Sequence, residues 1–173
     1  MNKIIDTAIR AYSFCEKALS HLQSPLLLAI RLYWGWQLAQ SGWGKLHNLD
    51  NVAQYFASLN MPMPAKMAFF IACVEFFGGI FLALGLLSRL TALVLTVNMV
   101  MAYVIADREA LFSFFSDPDK FSAAAPFVFL VASLIVLIFG PGKASLDSAL
   151  GYLRRRRVAG LQDLRGTSAF SAT

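Results

Sequence analysis

Charge is the scarcest commodity in this sequence. Asp, Glu, Lys and Arg make up 14% of its 173 residues, where a soluble domain carries about 25%. Apolar residues reach 58% and mean hydropathy is +0.61, so lipid rather than water is the expected solvent for much of the surface. Cysteine is nearly absent: Cys15 and Cys73 lie far apart with no C-x-x-C, which points away from a disulfide scaffold or a thiol-redox motif and leaves inert thiols as the default. Histidine is limited to His21 and His47, too few to make a heme or metal site, and no phosphate-binding glycine loop is visible. No bound metal or nucleotide is therefore expected. Met61, Met63 and Met67 carry thioethers that suit Cu(I), but loop packing against lipid is the simpler use. The net charge of +5 does not argue for nucleic acid, because the cations sit at the ends of apolar segments and in one terminal run. That layout is one of membrane orientation.

Four apolar stretches are present: Pro25 to Leu46, Met67 to Leu87, Leu90 to Ala106, and Ala123 to Phe139. A crossing helix needs ~20 mostly apolar residues, with a range of ~17–25. Continuous apolar runs without alternation select helices over barrel strands. The expected fold is all-α, an integral membrane four-helix bundle with an N-terminal amphipathic surface helix. That surface helix occupies residues 1–24, where Ile4, Ile5, Ala8, Tyr12, Cys15, Leu19 and Leu22 recur at helical spacing among charges. It lacks the continuous apolar core and cleavage site of a signal peptide. Residues 25–150 form the four-span domain, and residues 151–173 a basic, disordered cytoplasmic tail. Leu49, Val52, Phe56 and Leu59 predict a short interfacial helix between the first two spans. The loop from Asp107 to Lys120 offers Phe112, Phe114 and Phe115 to the headgroup boundary.

Lys and Arg set the orientation. The side holding both termini and the Leu87-Ser88-Arg89 turn carries ten of them, including Arg154 to Arg157; the other carries Lys45, Lys66, Arg108 and Lys120. This places both termini in the cytoplasm of a multi-pass protein of the inner membrane. The arginine run also suits anionic headgroups, at about 1 kcal/mol per residue.

Two charges fall inside spans. Arg31 lies ~9 Å and Glu75 ~18 Å from the cytoplasmic face at 1.5 Å per residue. Such residues cost roughly 2.5–3.5 kcal/mol to insert and face the protein interior or a cavity. Their ~9 Å offset leaves direct pairing open. Asn98, at ~15 Å by the same count, is an alternative partner for Glu75. Arg31, Gly35, Leu38, Gly42 and Lys45 share one face of the first span, and Glu75, Gly79, Leu82, Gly85 and Arg89 one face of the second. Small residues permit close approach, so these faces are expected to pack. The polar pair then has two readings, a lock on helix register or a working site. Trp43 is placed at the outer boundary as an anchor, and His47 beside Lys45 is either a solvated interfacial side chain or a proton relay.

These residues carry a resemblance. Arg31, Gly35, the Gly42-Trp43-Gly44-Lys45-Leu46 segment, Leu59-Asn60-Met61-Pro62, Glu75-Phe76-Phe77-Gly78-Gly79-Ile80, Leu84-Gly85-Leu86-Leu87-Ser88-Arg89 and the Gly140 to Asp147 segment together resemble the DoxX family of small bacterial membrane proteins, over roughly Leu27 to Leu150. The resemblance implies a four-helix membrane bundle. It also implies a link to membrane redox complexes and oxidative-stress responses, since relatives include the DoxD-type subunit of a thiosulfate:quinone oxidoreductase. Arg31, Lys45, Glu75 and Arg89 match its charged positions.

On this reading the chain is a membrane subunit of a quinone-linked oxidoreductase complex, not catalytic alone. Glu75 and Arg31 are the catalytic candidates, with Lys45, His47, Asn98 and Trp43 as ligand-binding candidates. Electrons come from a partner protein or a thiol-type donor, and a homo-oligomer is compatible with the sequence. The alternatives are a non-enzymatic scaffold that recruits a partner, and a small-molecule transporter. For the latter, four spans without broken helices leave little room.

Overall fold

The computed structural model describes residues 2–157, and these contain helices and no strand. The elements are α1 (Asn2–His47), α2 (Leu49–Ser58), α3 (Pro64–Leu84), α4 (Ser88–Ile105), α5 (Arg108–Phe112), α6 (Pro118–Ala123) and α7 (Pro126–Phe139). Residues 146–157 form a further helix, α8.

α3 and α4 are long and apolar enough to cross a membrane, and only 28% and 33% of their most apolar windows are buried inside the protein. A soluble core helix of such hydropathy would be covered. Here Phe69, Phe70, Phe77, Leu90, Leu93 and Val97 stay exposed, which suits an acyl-chain environment. α7 is more apolar than either but has 14 residues, or ~21 Å of helix.

Two sequence expectations change. The boundary at residue 25 is not a break, because α1 is one helix of 46 residues with Pro25 inside it. A proline removes one backbone donor and disfavours its preceding turn, yet the continuing helix tolerates it. The basic tail is helical through residue 157 rather than disordered; the segment from Leu161 lies outside the described residues. The expected interfacial helix is α2, and the Asp107 to Lys120 loop contains α5 and the start of α6.

The core is built by four helices, with Leu38 from α1, Leu82 from α3, Ala92, Leu95 and Met99 from α4, and Val136 from α7. Contacts run α1–α3, α3–α4, α4–α7 and α7–α1, so the four close a ring. The α1–α3 seam is the tightest. A Cβ on Gly35 would stand 2.8 Å from the Gly79 carbonyl oxygen and the Ala83 nitrogen, one on Gly79 would stand 2.5 Å from the Ala39 nitrogen, and one on Gly42 would collide with the Phe76 backbone. Glycine is needed there because backbone meets backbone.

Between α3 and α4 the chain turns within Gly85 to Leu87. Leu86 N–H donates to the Phe81 carbonyl and Gly85 N–H to that of Leu82, the Schellman arrangement, with Gly85 at φ +68° and Leu87 at φ +46°.

Candidate functional site

The antiparallel register of α1 against α3 decides where each intramembrane charge goes. Gly42 meets Ala72 and Phe76, and Gly35 meets Gly79 and Ala83. That register brings Arg31 beside Gly85 and Ser41 beside Glu75. Arg31 and Glu75 therefore do not pair.

Arg31 is 1% exposed. Its Nη1 donates to the Pro141 carbonyl and its Nη2 to that of Ala144 at 2.8 Å. It holds the segment after α7 against the α3–α4 turn. Lys143 N–H donates to Ser24 Oγ at 3.0 Å, and Asp147 accepts from the Leu87 and Ser88 amides at 2.8 Å each. Burial alone would raise the Asp147 pKa, but the Ser88 and Leu87 hydrogen bonds and the Arg31 charge outweigh it, holding the carboxyl below its ordinary value.

Glu75 lies at the middle of α3, ~15 Å along the helix from Gly85. It is 5% exposed, ion-paired through Oε1 with Lys45 Nζ, and accepts from Ser41 Oγ through Oε2 at 3.0 Å. The three side chains line a cavity of about 470 Å³, within the ~300–1,000 Å³ usual for ligand sites. Leu38, Met99 and Phe129 supply apolar wall, α2 contributes Val52, Tyr55 and Phe56, and Asn51 and Asp107 add polar groups. An ammonium with spare donors beside a carboxylate, in an otherwise apolar pocket, can hydrogen-bond a carbonyl and exchange a proton.

Of the candidates read from sequence, Glu75, Lys45 and Asn98 come together on this cavity; Asn98 lines it without bonding to Glu75. Arg31, Trp43 and His47 are not among its lining residues. His47 Nδ1 lies 2.9 Å from the Trp43 carbonyl oxygen, its ring 4.2 Å from the Trp43 ring, and Trp43 packs on Phe76. Ser41, Asn51 and Asp107 were not singled out by the sequence. Ser41 had a usable signal, since it stands four residues before Lys45 on the same helical face.

Two apolar helices that leave most of their surface uncovered, with a charged pair shielded between α1 and α3, put this chain among the helical membrane proteins. Residues 26–108 match the DoxX family model; the match supports a DoxX family protein, and that family is membrane-associated. The matched residues contain Lys45, Glu75 and the whole α1–α3 seam; the Gly140 to Asp147 motif lies beyond them. No curated protein and no solved structure matches the chain.

Proposed function

We propose that the chain is a multi-pass inner-membrane protein in which the distal half of α1, together with α3, α4 and α7, spans the bilayer with both termini in the cytoplasm. Its cavity binds the headgroup of a quinone, as the membrane subunit of an oxidoreductase complex. One observation supports this above others: an ion pair and a hydroxyl, Lys45, Glu75 and Ser41, lie on a cavity whose walls are otherwise mainly apolar. The fit is chemical, since a flat, weakly polar ring with carbonyl oxygens needs apolar walls and one or two donors.

In this site Lys45 donates to a ring carbonyl and holds it against the pocket. Glu75 carries the proton that a quinone oxygen takes up on reduction, and Ser41 orients the Glu75 carboxylate. Electrons are delivered by a redox partner in the same complex. α7 spans with its lead-in residues and a small local thinning of the bilayer.

The test is gentle purification from native membranes, with mass spectrometry of bound proteins and lipid-soluble cofactors. It is paired with quinone-dependent activity of the complex carrying Glu75→Gln. Stoichiometric quinone and loss of activity at wild-type protein level support the reading. A fully active Glu75→Gln complex removes Glu75 as the proton carrier, and a partner without redox function moves the protein to the scaffold class.

A further inference from the structure

A second cavity, of about 650 Å³, adjoins the first. Leu59, Met61, Ile71, Asn98, Met101 and Ile105 border both, so the two meet along a shared threshold. Their chemistry differs. The first contains Lys45, Glu75 and Asp107, whereas the second has no charged residue and is walled by side chains such as Phe70 of α3 and Val94 and Val97 of α4. Phe70 is 61% exposed and Val97 55%, so this cavity opens on the outer surface of two helices that are apolar enough to cross a bilayer. Its rim is the Leu59 to Pro62 turn, where Asn60 adopts φ +55°.

We propose that the second cavity is a lateral entrance, through which the isoprenoid tail of the quinone extends into the bilayer while its ring reaches Lys45 and Glu75. The inference rests on the quinone reading and goes beyond it by assigning the tail a place. A long-tailed quinone is dissolved in lipid. In lipid its tail gains little by entering a protein pocket, because acyl chains are as apolar as the side chains that would replace them. Drawing the tail through water would be strongly unfavourable. The ring must therefore reach the ion pair by a route that leaves the tail among apolar groups throughout, and the path between α3 and α4 past Asn98 and Met61 has that character.

The experiment uses the full chain in lipid nanodiscs. Binding of a tail-less benzoquinone and of its decyl-substituted analogue is measured as quinone retained above empty discs, for the wild type, Val97→Trp and Val94→Trp. Both substitutions are on the exposed apolar face, and melting temperatures check folding. The expected result is that the affinity ratio of decyl to tail-less quinone falls about tenfold or more in both variants. Glu75→Gln should instead weaken both ligands together. A ratio within about twofold of wild type in the folded variants overturns the lateral entrance and leaves the quinone site standing. Failure of both quinones to bind the wild type overturns the quinone reading and the entrance with it.

Discussion

Lys45 and Glu75 join the last turn of α1 to the middle of α3 in an ion pair whose two ends differ in exposure, 31% for the lysine side chain and 6% for the carboxylate. The asymmetry decides which partner is more costly to lose. Lys45→Met leaves a buried carboxylate with Ser41 alone, and breaking a buried pair in this way costs about 3–5 kcal/mol. Glu75→Gln leaves an ammonium that reaches solvent and keeps an acceptor at the same position, at an expected cost of about 1 kcal/mol. Melting temperatures in one detergent should rank Lys45→Met well below Glu75→Gln, and equal losses would contradict the pairing.

Asp147 caps the start of α4 from sixty residues away in sequence. Replacing it with Ala should destabilise by about 1 kcal/mol, as for other caps. Its carboxyl titrates below its ordinary value in the folded protein, so its contribution is present above the unfolded pKa of about 3.9 and is lost as pH falls through the lower folded value. The stability gap between wild type and Asp147→Asn should be full near neutrality and close in acid. A gap that is independent of pH would show that the cap does not depend on charge.

Gly42 and Gly44 differ by two positions and should differ sharply on substitution. A Cβ at Gly42 runs into the Phe76 backbone, whereas one at Gly44 meets nothing within 4 Å. Gly42→Ala should cost about 1–3 kcal/mol through forced separation of α1 and α3. Gly44→Ala should be neutral or slightly stabilising, because helical alanine is favoured over glycine by about 1 kcal/mol. Thermal unfolding of both variants checks this.

Arg31→Met removes the donors to the Pro141 and Ala144 carbonyls and leaves buried acceptors unsatisfied, at roughly 3 kcal/mol or more for the two together. The segment after α7 should then become sensitive to limited proteolysis. Arg31→Lys should restore the segment in part, since an ammonium lacks the fork that serves two carbonyls.

The elements were legible where periodicity and length speak. The four helices of the core fall at the four apolar stretches, and the 4-3 glycine spacing picked out the α1–α3 seam before any contact was known. The pairing of charges was not legible. Two glycine stripes show that two faces meet but leave their sliding register open; Ser41 and Arg31 are ~15 Å apart along α1, and the register alone sets which of them reaches Glu75. Counting inward from Pro25 set Arg31 and Glu75 ~9 Å apart in height, whereas Arg31 packs at Gly85, ~15 Å along α3 from Glu75. Arg31 finds its acceptors 110 and 113 residues away, in an irregular turn whose carbonyls carry no residue-type signature. The contact between Asp147 and the α4 amides was invisible for the same reason.

The unbroken course of α1 through Pro25 has a mechanical consequence. Its 46 residues span roughly 69 Å at 1.5 Å each, about twice the ~30 Å of a bilayer's hydrocarbon core. A helix of that length is more than one crossing can cover, and Lys45 stands near one tip of it. The hydrogen bond missing at Pro25 is the point at which the two halves of this helix can bend relative to each other.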